Sequence, residues 1–377
     1  MSTLTIADCE QHTGELVAWV KRLVAIESPS TDKAAVDRVG AVIAEELRQL
    51  GAAVVVEPRA TVGDNVYGRW GGQGQDGLLL LGHMDTVHDL GTLARQPIRE
   101  ADGKLYGPGA IDMKASLALV LVALRLLKTH KAWPARPVTA LFTSDEETGS
   151  EHSRALIETL AREAALVLCL EPCLSDGSLK TERKGIGEMV IQVRGRATHA
   201  GADHEGGRNA IEELAHHILA AQRLTDYRVG TTVNVGVVRG GTRSNVVPDE
   251  AWAEVDFRVA RMEEAERLAA WMRAQTPVTP GTSLAITGGL NRPPMPRDEV
   301  MARTFQRAQQ IAATLGLPVG EGSTGGGSDA NFVAPLGVPV LDGLGALGNG
   351  AHSEREHVVI SSLPERTALL AGLLSAW

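Results

Sequence analysis

Three short apolar runs constrain this chain most: Leu78-Leu79-Leu80-Leu81, Val138-Thr139-Ala140-Leu141-Phe142-Thr143 and Leu166-Val167-Leu168-Cys169-Leu170. None alternates apolar with polar residues. A strand that is apolar on both faces must be covered on both, which is the habit of parallel sheets flanked by helices. Helical spacing fills the intervals. Val36, Val39, Ile43, Leu47 and Leu50 recur at helical steps after Thr31, the expected cap, and before Gly51. A long apolar helix is expected from about Lys114 to Leu127, and others over about 9–26 and 152–162, with strands at Ala53–Val56 and Asn65–Trp70. The expected fold class is α/β with a mostly parallel sheet.

The pattern changes after about Gly185. Glu188–Val193, Thr231–Val238, Ala251–Val259 and Ser283–Thr287 read as strands, with helices at Gly207–Leu224 and Glu263–Arg273. The order βαββαβ is that of the ferredoxin-like split unit. From roughly Pro293 the helix–strand pattern of the first part resumes. The expected organisation is therefore a larger α/β domain made of residues 1–184 and 291–377, with a small α+β domain inserted at 185–290. At 377 residues, two domains are also the better prior.

Composition narrows the possible partners. A net charge of −9 argues against nucleic acid or an anionic membrane. No apolar run reaches the roughly 18 residues a membrane span needs. Met1–Asp8 lacks a basic segment followed by an apolar one, and the 3 cysteines, Cys9, Cys169 and Cys173, form no disulfide framework. A cytoplasmic protein with buried thiols is expected.

The chemistry gathers where the apolar runs end. Leu81 is followed by Gly82, His83, Met84 and Asp85, so His83 and Asp85 share a face of the extended chain. Glu146 and Glu147 follow the second run, and Glu171 the third. Asp112 closes the loop Tyr106-Gly107-Pro108-Gly109-Ala110-Ile111-Asp112, and His352 lies in Gly348-Asn349-Gly350-Ala351-His352. Ligand sites of open α/β sheets lie outside the strand carboxyl ends. Carboxylates converging there repel one another unless cations neutralise them. Imidazoles with carboxylates suit Zn²⁺, and a bridging carboxylate allows two ions.

These stretches, with Ser144–Ser150, Glu171-Pro172, Thr198-His199-Ala200-Gly201, Ser244–Pro248 and Gly325-Gly326-Gly327-Ser328-Asp329-Ala330, resemble the co-catalytic dizinc amidohydrolases. That family includes glutamate carboxypeptidase, aminoacylase, acetylornithine deacetylase and succinyl-diaminopimelate desuccinylase. The triple glycine and the late His-Ser-Glu are most similar to the bacterial glutamate carboxypeptidase branch. The resemblance implies a zinc-peptidase-like catalytic domain carrying two Zn²⁺ per subunit, with Co²⁺ or Mn²⁺ as substitutes. It assigns His83, Asp112 and Glu171 to one ion and Asp112, Glu147 and His352 to the other. It also implies Glu146 as general base, Asp85 as support for His83, and a cis peptide after Asp112. His199 would steady the oxyanion, arriving from the partner of a homodimer formed through the inserted lid domain. Asn245, Arg292 and Gly326 would meet the substrate, a small peptide or N-acyl amino acid with a free carboxylate. For Arg292 a surface cation at the hinge is the alternative. Arg183-Lys184 depart from the relatives' pattern. The implied reaction is release of a C-terminal amino acid such as glutamate, with N-acyl-amino-acid deacylation as the alternative. A non-catalytic relative is disfavoured because Glu146 is present.

Overall fold

A computed structural model describes residues 4–71 and 76–377. The first three residues of the leader reading lie outside them. By contact density the chain divides into two units, one of residues 1–182, 297–323 and 328–377, the other of residues 183–296 and 324–327.

The first unit is built on a six-stranded sheet. In spatial order its strands are Ala53–Glu57, Asn65–Trp70, Val138–Thr143, Gly77–His83, Ala164–Cys169 and Val340–Leu341. The three apolar runs are neighbours and run parallel, with Leu78 opposite Val138 and Leu166. Parallel neighbours end on the same side, so His83, the residues after Thr143 and those after Cys169 emerge along one rim. The two strands before Gly77 are antiparallel additions.

Gly77–His83 is buried along its whole length, as its unbroken apolar run requires. The helix Ala115–Thr129 is apolar on nearly every face and is accordingly buried on nearly every face, Leu117, Leu119, Leu121 and Leu124 included. Burying each such leucine is worth about 1.5–3 kcal/mol.

Some local expectations change. The helix expected over 9–26 is two, Ile6–Glu10 and Thr13–Val24. The next, Lys33–Gln49, is capped by Asp32 rather than Thr31: the Asp32 carboxylate accepts the Ala35 N–H at 2.9 Å. A carboxylate at that position also meets the positive end of the helix dipole. All three cysteines are buried and outside any disulfide, and burial pushes the Cys9 thiol up to about 12.

The second unit is an antiparallel sheet in the order Thr232–Gly240, Glu250–Val259, Gly185–Arg194, Ser283–Arg292. Numbered along the chain, that order is 2-3-1-4, the split βαβ arrangement. Helices Ala210–Gln222 and Met262–Ala274 accompany it, and alternation leaves Met189, Ile191, Val193, Ala253, Val255 and Phe257 in its core. The last strand runs on to Arg292, which is 3% exposed, so the reading of Arg292 as a surface hinge cation is overturned. Its side chain belongs to the packed end of a strand. No helix among the described residues is long and apolar enough to cross a membrane.

Candidate metal centre

The rim of the first unit brings seven predicted residues together. His83, at the end of its strand, places Nε2 3.2 Å from Asp112 Oδ1 and 3.7 Å from Glu171 Oε1. His352 places its own Nε2 3.4 Å from Asp112 Oδ2 and 3.2 Å from Glu147 Oε2. Asp112 thus turns one oxygen to each histidine, the orientation a carboxylate needs to be shared by two cations. Donor atoms of His83, Asp112 and Glu147 lie within 4.8 Å of one another, as do those of His83, Glu146 and Glu171.

The local backbone explains this convergence. Glu146 and Glu147 begin a short turn, Glu146–Thr148, directly after the strand that ends at Thr143. Asp112 sits in Ala110–Lys114, a segment of irregular backbone entered through Gly109 at φ 70°. A Cβ on Gly109 would lie 2.6 Å from Thr86 Cγ2, so the approach requires glycine. The Asp112-Met113 peptide is cis, as the resemblance implies. His352 is held by a small sheet that the sequence reading did not anticipate. In it Gly348–Asn349 pairs with His357–Val359, which pairs with Lys104–Tyr106. These strands tie the loop of His352 to the base of the loop that carries Asp112.

Asp85 has a wider task than expected. Its backbone carbonyl, 3.0 Å from His83 Nδ1, is nearer than its carboxylate at 3.4 Å. Either contact fixes the ring with Nε2 facing the cluster. The carboxylate accepts the N–H groups of Glu146 and Glu147, each at 3.2 Å, and the Ser30 hydroxyl at 2.6 Å. One buried residue therefore orients both the histidine and the paired glutamates. Ser30 carried no signal in the sequence beyond its place in the Ser-Pro-Ser break.

The electrostatics describe a pocket built for positive charge. Burial pushes His83 down, yet its hydrogen bonds to Asp112 and Asp85 outweigh burial and hold it well above its usual range. Asp112 and Glu147 raise His352 to about 10. Burial opposes the ionised form of Asp112, but the two imidazoles hold it well below the carboxylate range. Burial raises Glu147, partly countered by His352. Glu147 Oε1 is also buried with no hydrogen-bond partner among the described residues. Two imidazoles and three carboxylates, one of them with an orphaned buried oxygen, form a donor set that fits a divalent pair.

The other predicted residues lie in the second unit. His199 is exposed, and its Nδ1 accepts the N–H groups of Gly201 and Ala202 at 3.1 Å each. In the neutral ring the proton is thereby assigned to Nε2, which is left as a donor. Asn245 lies beside it, its carbonyl accepting the Ala200 N–H at 3.0 Å. Gly326 lies on an exposed turn whose carbonyl, with that of Gly327, accepts from Arg183 Nη1 at 3.1 and 2.8 Å. Arg183 is 2% exposed, so the departure from the relatives' pattern is a buried brace of the triple-glycine turn.

Carboxylates and imidazoles clustered at the strand ends of an α/β sheet form a site of the kind that can hold metal ions. The chain belongs to peptidase family M20/M25/M40, whose model matches residues 79–376. It is 34% identical to carboxypeptidase G2 of Pseudomonas sp. (strain RS-16) over 369 residues, covering 95% of this chain and 88% of that protein. Among solved structures it is similar to aminopeptidase PepT of Bacillus cereus, with TM-score 0.76 and 23% identity over 96% of this chain and 98% of that one. It is also similar to the YXEP protein of Bacillus subtilis, described as a dinuclear metal-binding M20 peptidase. There the TM-score is 0.67 and the identity 15%, over 97% of this chain and 98% of that one.

Proposed function

We propose that the protein is a dinuclear zinc carboxypeptidase, which hydrolyses an amide bond and releases an amino acid with a free α-carboxylate, glutamate foremost. The observation that carries this reading is the orientation of Asp112, one oxygen toward His83 and the other toward His352. His83, Asp112 and Glu171 would hold one cation, and Asp112, Glu147 and His352 the other. When bound, such ions supply Lewis acidity toward a carbonyl and acidity to water. Glu146 takes a proton from the attacking water and returns it to the leaving amine. Asp85 keeps Glu146 aimed through the Glu146 N–H. The Nε2–H of His199 donates to the oxygen that gains charge as the carbonyl becomes tetrahedral. Asn245, Arg292 and the turn at Gly326 receive the substrate carboxylate. A guanidinium suits that task through its paired N–H donors.

The likeness to carboxypeptidase G2, at 34% identity, supports release of a C-terminal residue over the aminopeptidase alternative. In this reading the second unit is a lid and the homodimer contact, and the substrate is a small peptide. Nucleic acid and membrane play no part. The test is a hydrolysis screen of peptidyl- and aroyl-glutamates against N-acetyl amino acids and free dipeptides, with zinc-loaded protein. Preference for C-terminal glutamate is expected. Faster cleavage of N-acetyl amino acids replaces the reading by a deacylase, and cleavage that requires a free amino terminus replaces it by an aminopeptidase.

A further inference from the structure

The segment that supplies His352 also supplies a buried carboxylate, Glu356, that the proposed reaction does not use. Its side chain is 1% exposed. Oε1 accepts the N–H groups of Ile111 at 2.9 Å and Asp112 at 3.1 Å. Oε2 accepts the Gly109 N–H at 2.9 Å and faces His88 Nε2 at 2.6 Å. The Glu356 carbonyl in turn accepts the Gly107 N–H at 3.3 Å. Residues 107–112 form no regular helix or ladder, so their N–H groups need partners elsewhere. A single carboxylate supplies three of those partners, the last of them on Asp112 itself.

We infer that Glu356 is a positioning residue for the metal centre: by gathering the Gly109, Ile111 and Asp112 N–H groups it sets the orientation in which the Asp112 carboxylate is offered to two cations. This rests on the dinuclear reading above. Several features of the contact support it. The clamp acts on the backbone of the one residue that both proposed sites share. It comes from the same loop as His352, four positions on, so a shift of that loop moves both together. His88 closes the last acceptor position, which fixes the rotation of the carboxylate about its own axis. Partners of this kind around a metal ligand are worth roughly 10–100-fold in metal affinity.

The test measures metal binding, apart from turnover. Glu356→Ala, Glu356→Asp and Glu356→Gln are stripped of metal, and Zn²⁺ affinity and stoichiometry are read by competition with a chromophoric chelator. Co²⁺ absorption reports ligand geometry, and thermal unfolding of the stripped proteins reports the fold. Glu356→Ala is expected to bind Zn²⁺ roughly 10–100-fold more weakly, with both ions affected because Asp112 serves both. Glu356→Asp keeps the charge but withdraws the acceptor by one methylene, and falls between. Glu356→Gln keeps an oxygen toward Ile111 and Asp112 but sets its amide NH2 against the Gly109 N–H that Oε2 accepts, so it also falls between wild type and Glu356→Ala. Should Glu356→Ala yield no folded protein, Glu356→Asp carries the comparison. Wild-type affinity and Co²⁺ spectrum in a folded Ala or Asp variant overturn the inference, even if the stripped protein melts earlier. A wild-type protein that itself binds no Zn²⁺ tightly fails the dinuclear reading, a distinct outcome.

Discussion

Glu146 and Glu147 are adjacent in sequence and divide the work between them by direction. Glu147 meets His352, while Glu146 belongs with His83 and Glu171, and Asp85 holds both through their N–H groups. Glu146→Ala is therefore expected to lower kcat by roughly 10²–10⁴-fold, since it removes the proposed proton carrier, and to leave zinc content nearly unchanged. Steady-state kinetics beside metal analysis of the same preparation checks this. Collapse of metal content with a high residual rate would move Glu146 into the ligand set. Asp85→Ala should lose both properties together, because it releases the glutamate turn and one hold on the histidine. The residues were legible as carboxylates and an imidazole near strand ends, and their separate roles were implied only by the family resemblance. The use of the Asp85 carboxylate on the backbone of Glu146 and Glu147 was not, because N–H groups 61 and 62 positions away carry no sequence signature.

Among elements, the helix Ala210–Gln222 shows how a buried charge ties a unit together. Glu213, fully buried, accepts the N–H groups of Val278 at 2.9 Å and Thr279 at 2.6 Å and pairs with His217 Nε2 at 2.7 Å. Burial opposes its charge, but these donors outweigh it and bring its carboxyl down to about 2. Because the folded value is depressed, the stabilisation is fully present above the unfolded value near 4.5. It is lost as pH falls from there toward about 2. The contribution at neutral pH is on the order of 3 kcal/mol. Urea unfolding at neutral and acid pH should show wild type losing stability more steeply than Glu213→Gln across that interval. Equal slopes would assign the acid sensitivity elsewhere. The helix itself was legible from its amphipathic spacing. The partner loop at Val278–Thr279 was not, for it has no periodicity.

Two tests belong to the whole molecule. Chelator treatment should abolish activity and Zn²⁺ or Co²⁺ should restore it; full activity in metal-stripped protein would refute the mechanism. If His199 serves the partner's site, two inactive variants can repair each other. Homodimers of His199→Ala and of Glu146→Ala have no complete site, but a mixed dimer holds one. Co-expression of the two is then expected to give roughly a quarter of wild-type activity in a statistical mixture. No recovery in mixed dimers verified by mass would place His199 on its own subunit's substrate, or on none.

The division between what sequence and tertiary structure contribute follows from range. Apolar runs without alternation, helical spacing between them and the change of pattern after Gly185 dictated a parallel-sheet unit and a split βαβ unit. Burial on one face or two is written in consecutive side chains. The placement of His83, Glu146 and Glu171 on one rim follows from the same runs, since parallel strands end together. Other features were decided by contacts between segments far apart in the chain. The turning of Asp112 toward two histidines, the small sheet under His352, and the grip of Glu356 on Gly109, Ile111 and Asp112 all depend on segments far apart in the chain, Glu356 lying 244 or more positions from the three N–H groups it holds. Hydrogen bonds between irregular segments have no period for a sequence to display, and only the folded chain brings their donors and acceptors within reach.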